Sequence, residues 1–171
     1  MTEVALPFFD ARSSVVHNRH RIDIDLLENG HVHRFMTRAA LDAVVERIRL
    51  LGYLIHEISA DTWHDERAMH RDLAAHLEFP NYYGHNLDAF NDVLRDIAVF
   101  SYGSDPSTTG TVLVLTDFDT FRVQYPQTAQ TLLDMFAVQA HVALLGLHPM
   151  LCLVESTHVF EPVGATELDS A

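Results

Sequence analysis

Two runs of uninterrupted apolar residues, at 111–115 and 150–154, constrain this chain more than any other feature. A strand with one wet face alternates apolar and polar positions. A run without a polar position is a strand buried on both faces, as in a parallel sheet covered by helices. The flanking segments agree with that. Residues 53–58 suit a further short strand. Helical spacing of Leu41, Val44, Val45, Ile48 and Leu51 predicts a helix over 38–51, with Thr37 as N-cap and Gly52 as the stop. The same periodicity predicts helices over about 62–78, ended by Pro80, over 87–98 after the N-cap Asn86, and over 127–145. The turn-forming residues of 101–110 make a surface loop. Strands separated by helices need crossover connections, so the expected fold class is α/β: a small three-stranded parallel sheet flanked by helices, ordered β-α-α-β-α-β.

Before that unit, residues 20–36 alternate apolar positions on both sides of Asn29-Gly30, a dipeptide suited to tight turns, and this predicts a β-hairpin. The expected organisation is an N-terminal extension of hairpin and helix over 1–52 packed on the main domain, a main domain over 53–160, and a disordered tail over 161–171. The start of the chain lacks the basic and apolar pattern of a signal peptide. The apolar stretch 141–154 is too short to span a bilayer and is broken by His148 and Pro149. A soluble, cytoplasmic protein is expected. The single cysteine, Cys152, lies in an apolar run and reads as a small buried hydrophobe.

Charge narrows the functional classes. The chain carries 24 Asp plus Glu against 11 basic residues, all of them Arg, for a formal net charge of -13. Such a field repels nucleic acid and anionic lipid and attracts cationic proteins. Without lysine, neither a Walker A phosphate loop nor a Schiff-base enzyme can be built.

The most informative segment runs from Phe79 to Leu94 and joins an aromatic, glycine-containing loop to a capped helix. Asp88 and Asp92 are four residues apart and project from one helix face. Two like charges so placed are mildly unfavourable in an isolated helix. They make sense where a cluster of positive side chains docks, although an ordinary solvated helix face is the plain alternative. Residues 61–97 hold eight acids against three arginines, so the excess is concentrated around this helix. Tyr82 and Tyr83 border it, and tyrosine beside charge is a frequent composition of binding hot spots.

At these residues, Pro80-Asn81-Tyr82-Tyr83-Gly84-His85-Asn86-Leu87-Asp88-Ala89-Phe90-Asn91-Asp92, the sequence resembles the barstar family of ribonuclease inhibitors. The resemblance extends upstream to the strand near 54–58 and the helix carrying Met69, His70, Leu73 and Leu77, and downstream to 112–118, with 101–110 as an insertion. It implies a barstar-like fold and an inhibitor, antitoxin or immunity protein that occludes the active site of a basic ribonuclease or related toxin, without catalysis of its own. The residues it implies for partner binding are Tyr82, Gly84, His85, Asn86, Asp88, Asn91 and Asp92, with Asp92 closest to a phosphate mimic and Asp88 its companion. Two departures are visible: the family has an aromatic where Asn91 stands, and its later acid has no clear counterpart in 134–147.

Two other functions follow from the residues. Asn91 is compatible with a barstar-fold interaction module whose partner is not a ribonuclease. Paired carboxylates and twelve histidines admit a metal-assisted hydrolase, yet the pairs His17/His20, His31/His33 and His64/His70 lack the spacing of a metal motif, so no metal or cofactor is expected. His85 lies inside the motif loop, where it is expected to contact the partner.

Overall fold

The computed structural model describes residues 21–163. The elements in order are α1 (Ile22–Glu28), β1 (Val32–Phe35), α2 (Arg38–Leu50), β2 (Leu54–Ser59), a 3-10 turn (Ala60–Thr62), α3 (Glu66–His76), α4 (Leu87–Ala98), β3 (Thr111–Thr116), α5 (Phe118–Gln124), α6 (Pro126–Leu145) and β4 (Met150–Glu155). All sheet pairings are parallel. The strand order is β1-β4-β3-β2, so the sheet has four strands where three were expected.

The two apolar runs are the central strands. Leu113 and Leu115 of β3, with Met150, Cys152 and Val154 of β4, enter a core shared with Trp63, Leu73, Phe90, Phe118 and Phe136. Their neighbours Val112, Val114, Leu151 and Leu153 enter a second core with Leu41, Val45, Ile48 and Tyr53. Each strand therefore needs apolar residues on both faces, the physical reason its sequence does not alternate. Helix α2 stands on one face, capped by Thr37 Oγ1 accepting from the Ala40 amide, and α3 to α6 cover the other.

The expected hairpin is corrected. Residues Ile22–Glu28 are helical, and β1 pairs across the chain with β4, Val32 beside Cys152. Asn29-Gly30 still turns the chain, with Gly30 at φ +114°, but it ends a helix. The apolar spacing satisfied both periods, since Ile22 and Leu26 are also four apart. The decision lay with Asp23, which is buried, accepts a hydrogen bond from the Tyr53 hydroxyl at 2.9 Å and is held by Arg21. The helix expected at 62–78 is shorter, because Asp65 caps it by accepting from the Ala68 amide, and a separate short helix, α5, follows β3. The expected tail beyond 163 and the pair His17/His20 lie outside the described residues.

Candidate protein-binding site

Helix α4 is built so that one face is fixed and the other is offered to solvent. Phe90, Val93, Leu94, Ile97 and Ala98 are buried in the larger core, while Asp88 and Asp92 are exposed. Its start is set locally: Asn86 Oδ1 accepts from the Ala89 amide at 2.8 Å, satisfying one of the helix's free N–H groups. Asp88 in the first turn is favoured by the helix dipole.

The loop before α4 is held from beneath. Tyr83 is buried, its ring against Phe79 at 4.8 Å and His85 at 4.9 Å, and its hydroxyl is 2.6 Å from Nδ1 of buried His70 on α3. Of the adjacent tyrosines, Tyr83 thus anchors the loop and Tyr82, 79% exposed, is presented. His85 is exposed at φ +51°, a left-handed conformation that costs a non-glycine residue energy and directs the chain into the helix cap. Gly84 also sits tightly: a Cβ there would meet Asn86 Nδ2 at 3.3 Å and the Ala89 methyl at 3.4 Å. Between α3 and this loop lies a cleft of about 530 Å³ lined by Glu66, Arg67, His70 and residues 84–88. Burial lowers the pKa of His70, and a nearby His85 lowers it further against the opposite pull of Glu66.

Three features were not legible from the motif. Arg95, one turn along, forms an ion pair with Asp92, so that carboxylate has a partner in the free protein. Its i,i+3 spacing was a usable signal that a net count of charge conceals. The Tyr82 hydroxyl is 2.7 Å from that of Tyr102 in the 101–110 loop, and Tyr102 lies 3.4 Å from Asp96. The hydrogen bond to Tyr82, with Asp96 nearby, pushes Tyr102 up to about 12. No sequence signal joins residues 82 and 102. Asn91 is half-buried and accepts a hydrogen bond from Gln139 of α6 at 3.0 Å, so its side chain ties two helices together. The remaining motif residues Tyr82, Gly84, His85, Asn86, Asp88 and Asp92 are all exposed and contiguous along the loop and helix.

Among the described residues no three His, Cys, Asp or Glu side chains converge as a metal site. No described helix is long and apolar enough to cross a membrane.

Residues 53–148 match the model of one protein family, Barstar, described as a barnase inhibitor. The chain belongs to the barstar family. The matched span covers β2 through α6 and contains the whole loop and helix described above. Membership brings an inhibitor-type α/β fold, and the family acts by binding a protein rather than by catalysis. The family match begins at Tyr53, yet β1 from outside it completes the sheet and α2 covers one face. No curated protein matches the chain.

Proposed function

We propose that this protein is a cytoplasmic inhibitor that binds a basic ribonuclease or ribonuclease toxin and occludes its active-site groove with loop 82–86 and the exposed face of α4. The observation that carries the reading is the pair Asp88 and Asp92, one turn apart on the open face of a helix whose other face is fixed in the core. Rigid presentation matters because a preorganised surface loses little entropy on binding. Two carboxylates so held can engage the cationic side chains with which a nuclease holds phosphates, and the surrounding charge of -13 speeds encounter with such a groove. Tyr82 supplies apolar area with a polar tip, and His85 is exposed in the same loop with its ring against Tyr83.

Arg95 adds a specific expectation. It neutralises Asp92 in the free protein and has to release it when a cationic partner arrives. Titration against a panel of basic ribonucleases, beginning with barnase, tests the proposal. Asp92→Ala and Asp88→Ala each weaken binding tenfold or more, about 1.4 kcal/mol, whereas Arg95→Ala speeds association. Absence of binding to every member, or indifference to both aspartate changes, would refute the inhibitor reading.

A second reading keeps the same surface with a different basic partner. It is favoured by Asn91, which faces Gln139 and leaves no aromatic anchor immediately before Asp92. Recovery of the complex from the native host, with a nuclease assay on the bound protein, separates the two.

A further inference from the structure

The connection from α4 to β3, residues 99–110, is long for a compact domain, and loops of that length commonly carry function. It is tied down along its course. Phe100 and Tyr102 take left-handed φ angles of +68° and +51°, which turn the chain back at the end of α4, and the Ser101 amide donates to the Asp96 carbonyl at 3.0 Å. Gly103 is pressed on the end of α3, where a Cβ would lie 2.6 Å from the Leu77 carbonyl oxygen, and its own carbonyl accepts from the His56 ring. Asp105 Oδ1 accepts from the Ser107 amide and hydroxyl, and the Thr109 amide and hydroxyl donate to the Gly52 and Leu51 carbonyls. What these ties position is Tyr102. Its ring packs on the larger core, and its hydroxyl lies 2.7 Å from that of Tyr82 and 3.4 Å from Asp96. A carboxylate only accepts, so Tyr102 donates to Asp96 and receives from Tyr82. Asp96 is half-buried and stands one turn beyond Asp92, so Asp88, Asp92 and Asp96 follow one another at intervals of four along α4.

We infer that loop 99–110 belongs to the partner-binding surface and fits it to a groove whose cations are spread along α4, with Tyr102 as the positioning residue that fixes Tyr82 and presents Asp96 as a third acid, given that Asp88 and Asp92 meet the partner as proposed above. Eight residues of helix span about 12 Å. A row of that length suits cations distributed along a groove better than a single cationic pocket. The three acids also differ in the free protein. Asp92 is already paired with Arg95, whereas Asp96 takes a hydrogen bond from a neutral hydroxyl, so a cation that reaches it displaces no charge of the protein itself. Asn91 is turned toward Gln139, and the Tyr82–Tyr102 pair supplies ring surface beside the acids. Tyr82 is 79% exposed, and an exposed ring already held in place loses little side-chain freedom when a partner covers it. The loop has its own ties at Gly103, Asp105 and Thr109, so the Tyr102 hydroxyl is free to serve the neighbouring binding loop.

Binding kinetics of the full chain, at low and high salt, against the basic ribonuclease of the panel that it holds most tightly test this. Tyr102→Phe keeps the ring and removes only the hydroxyl. It weakens binding by about fivefold, the scale of one hydrogen bond, chiefly through faster dissociation. Tyr82→Phe costs a similar factor, and the double variant loses no more than either alone, because both act through one bond. Since Tyr82 is exposed, the circular dichroism and melting temperature of Tyr82→Phe match those of the unaltered chain, and its loss is read as binding. Asp96→Asn weakens binding by about tenfold and flattens its salt dependence, a change that a role in merely fixing the loop would not produce. The control Glu28→Gln, exposed on α1, stays within about twofold. If Asp88→Ala and Asp92→Ala weaken binding while Tyr102→Phe and Asp96→Asn change it by less than about twofold, Tyr102 and Asp96 lie outside the contact and the inhibitor function stands without them. Additive losses in Tyr82→Phe and Tyr102→Phe remove Tyr102 as the residue that fixes Tyr82. Absence of binding by the unaltered chain to every panel member overturns both the role of the loop and the inhibitor function.

Discussion

Replacing Tyr83 by Phe removes one oxygen from beneath the candidate binding loop and nothing else. The ring remains packed between Phe79 and His85, at 4.8 and 4.9 Å, so apolar burial is preserved. What is lost is the hydroxyl 2.6 Å from His70 Nδ1, between two residues that are 6% and 3% exposed. A buried polar atom left without a partner costs about 1–3 kcal/mol, more than the net value of an average hydrogen bond, because its desolvation is no longer compensated. A middle value of about 2 kcal/mol corresponds to a melting temperature lowered by roughly 4–8 °C in a domain of this size. Urea unfolding should show a lower midpoint at unchanged m-value, since the surface exposed on unfolding is the same. Tyr83→Ala, which also removes the ring, should cost about 3–5 kcal/mol. Because the two residues join α3 to the loop before α4, Tyr83→Phe should also loosen amide protection at 82–86 more than in β3. A loss below about 0.3 kcal/mol, outside the range expected for an orphaned buried group, would show that His70 finds another partner and that the bond does not hold the loop.

Histidines make stability fall on mild acidification. Burial is the first cause lowering the pKa of His31, His33, His70 and His148, so the folded state disfavours their charged forms. The unfolded chain then binds more protons below the ordinary value of about 6.5, and stability complete above it declines as pH falls through it, by at most about 1.4 kcal/mol per pH unit for each histidine. Denaturant melts at pH 7.5 and 5.5 check this, and equal midpoints contradict it. His148→Gln should flatten the profile, since His148 is 1% exposed between the Thr111 hydroxyl at 2.8 Å and the Ala98 carbonyl. At Gly110 a Cβ would lie 2.3 Å from the Pro149 carbonyl oxygen and 2.7 Å from the Tyr53 ring, one neighbour being backbone. Gly110→Ala should therefore destabilise by more than about 3 kcal/mol, read as loss of soluble protein or a much lower urea midpoint, whereas Gly30→Ala meets no atom within 4 Å and pays only for its φ of +114°.

Much of the fold is legible in short windows. Helix α4 spans Leu87–Ala98 as its periodicity requires, with Asn86 capping it, because cap and amphipathic face are both encoded within a dozen residues. The doubly apolar runs likewise become β3 and β4, since burial on both faces leaves a pattern in the strand itself. The candidate site was legible to the same extent: the exposed acids of α4 follow from the motif, and the tyrosine that anchors the loop does not, because Tyr82 and Tyr83 are chemically alike and only the core behind them chooses which is buried.

Tertiary structure decided whatever depended on distant partners. Residues 22–28 fit either period, and helix won because Asp23 finds Tyr53 thirty residues away while β4 takes the following strand in parallel register. The fourth strand, the bond between Tyr82 and Tyr102, and the turn of Asn91 toward Gln139 are of the same kind. By itself the sequence determined α2, α4, α6, the two doubly buried strands and which helix carries the acids, because backbone preference, capping and hydrophobic period act over one or two turns. Which edge the last strand joins and which polar side chains remain free to meet a partner are settled only when the chain closes, since a buried polar group must be satisfied by whatever atom the fold brings to it.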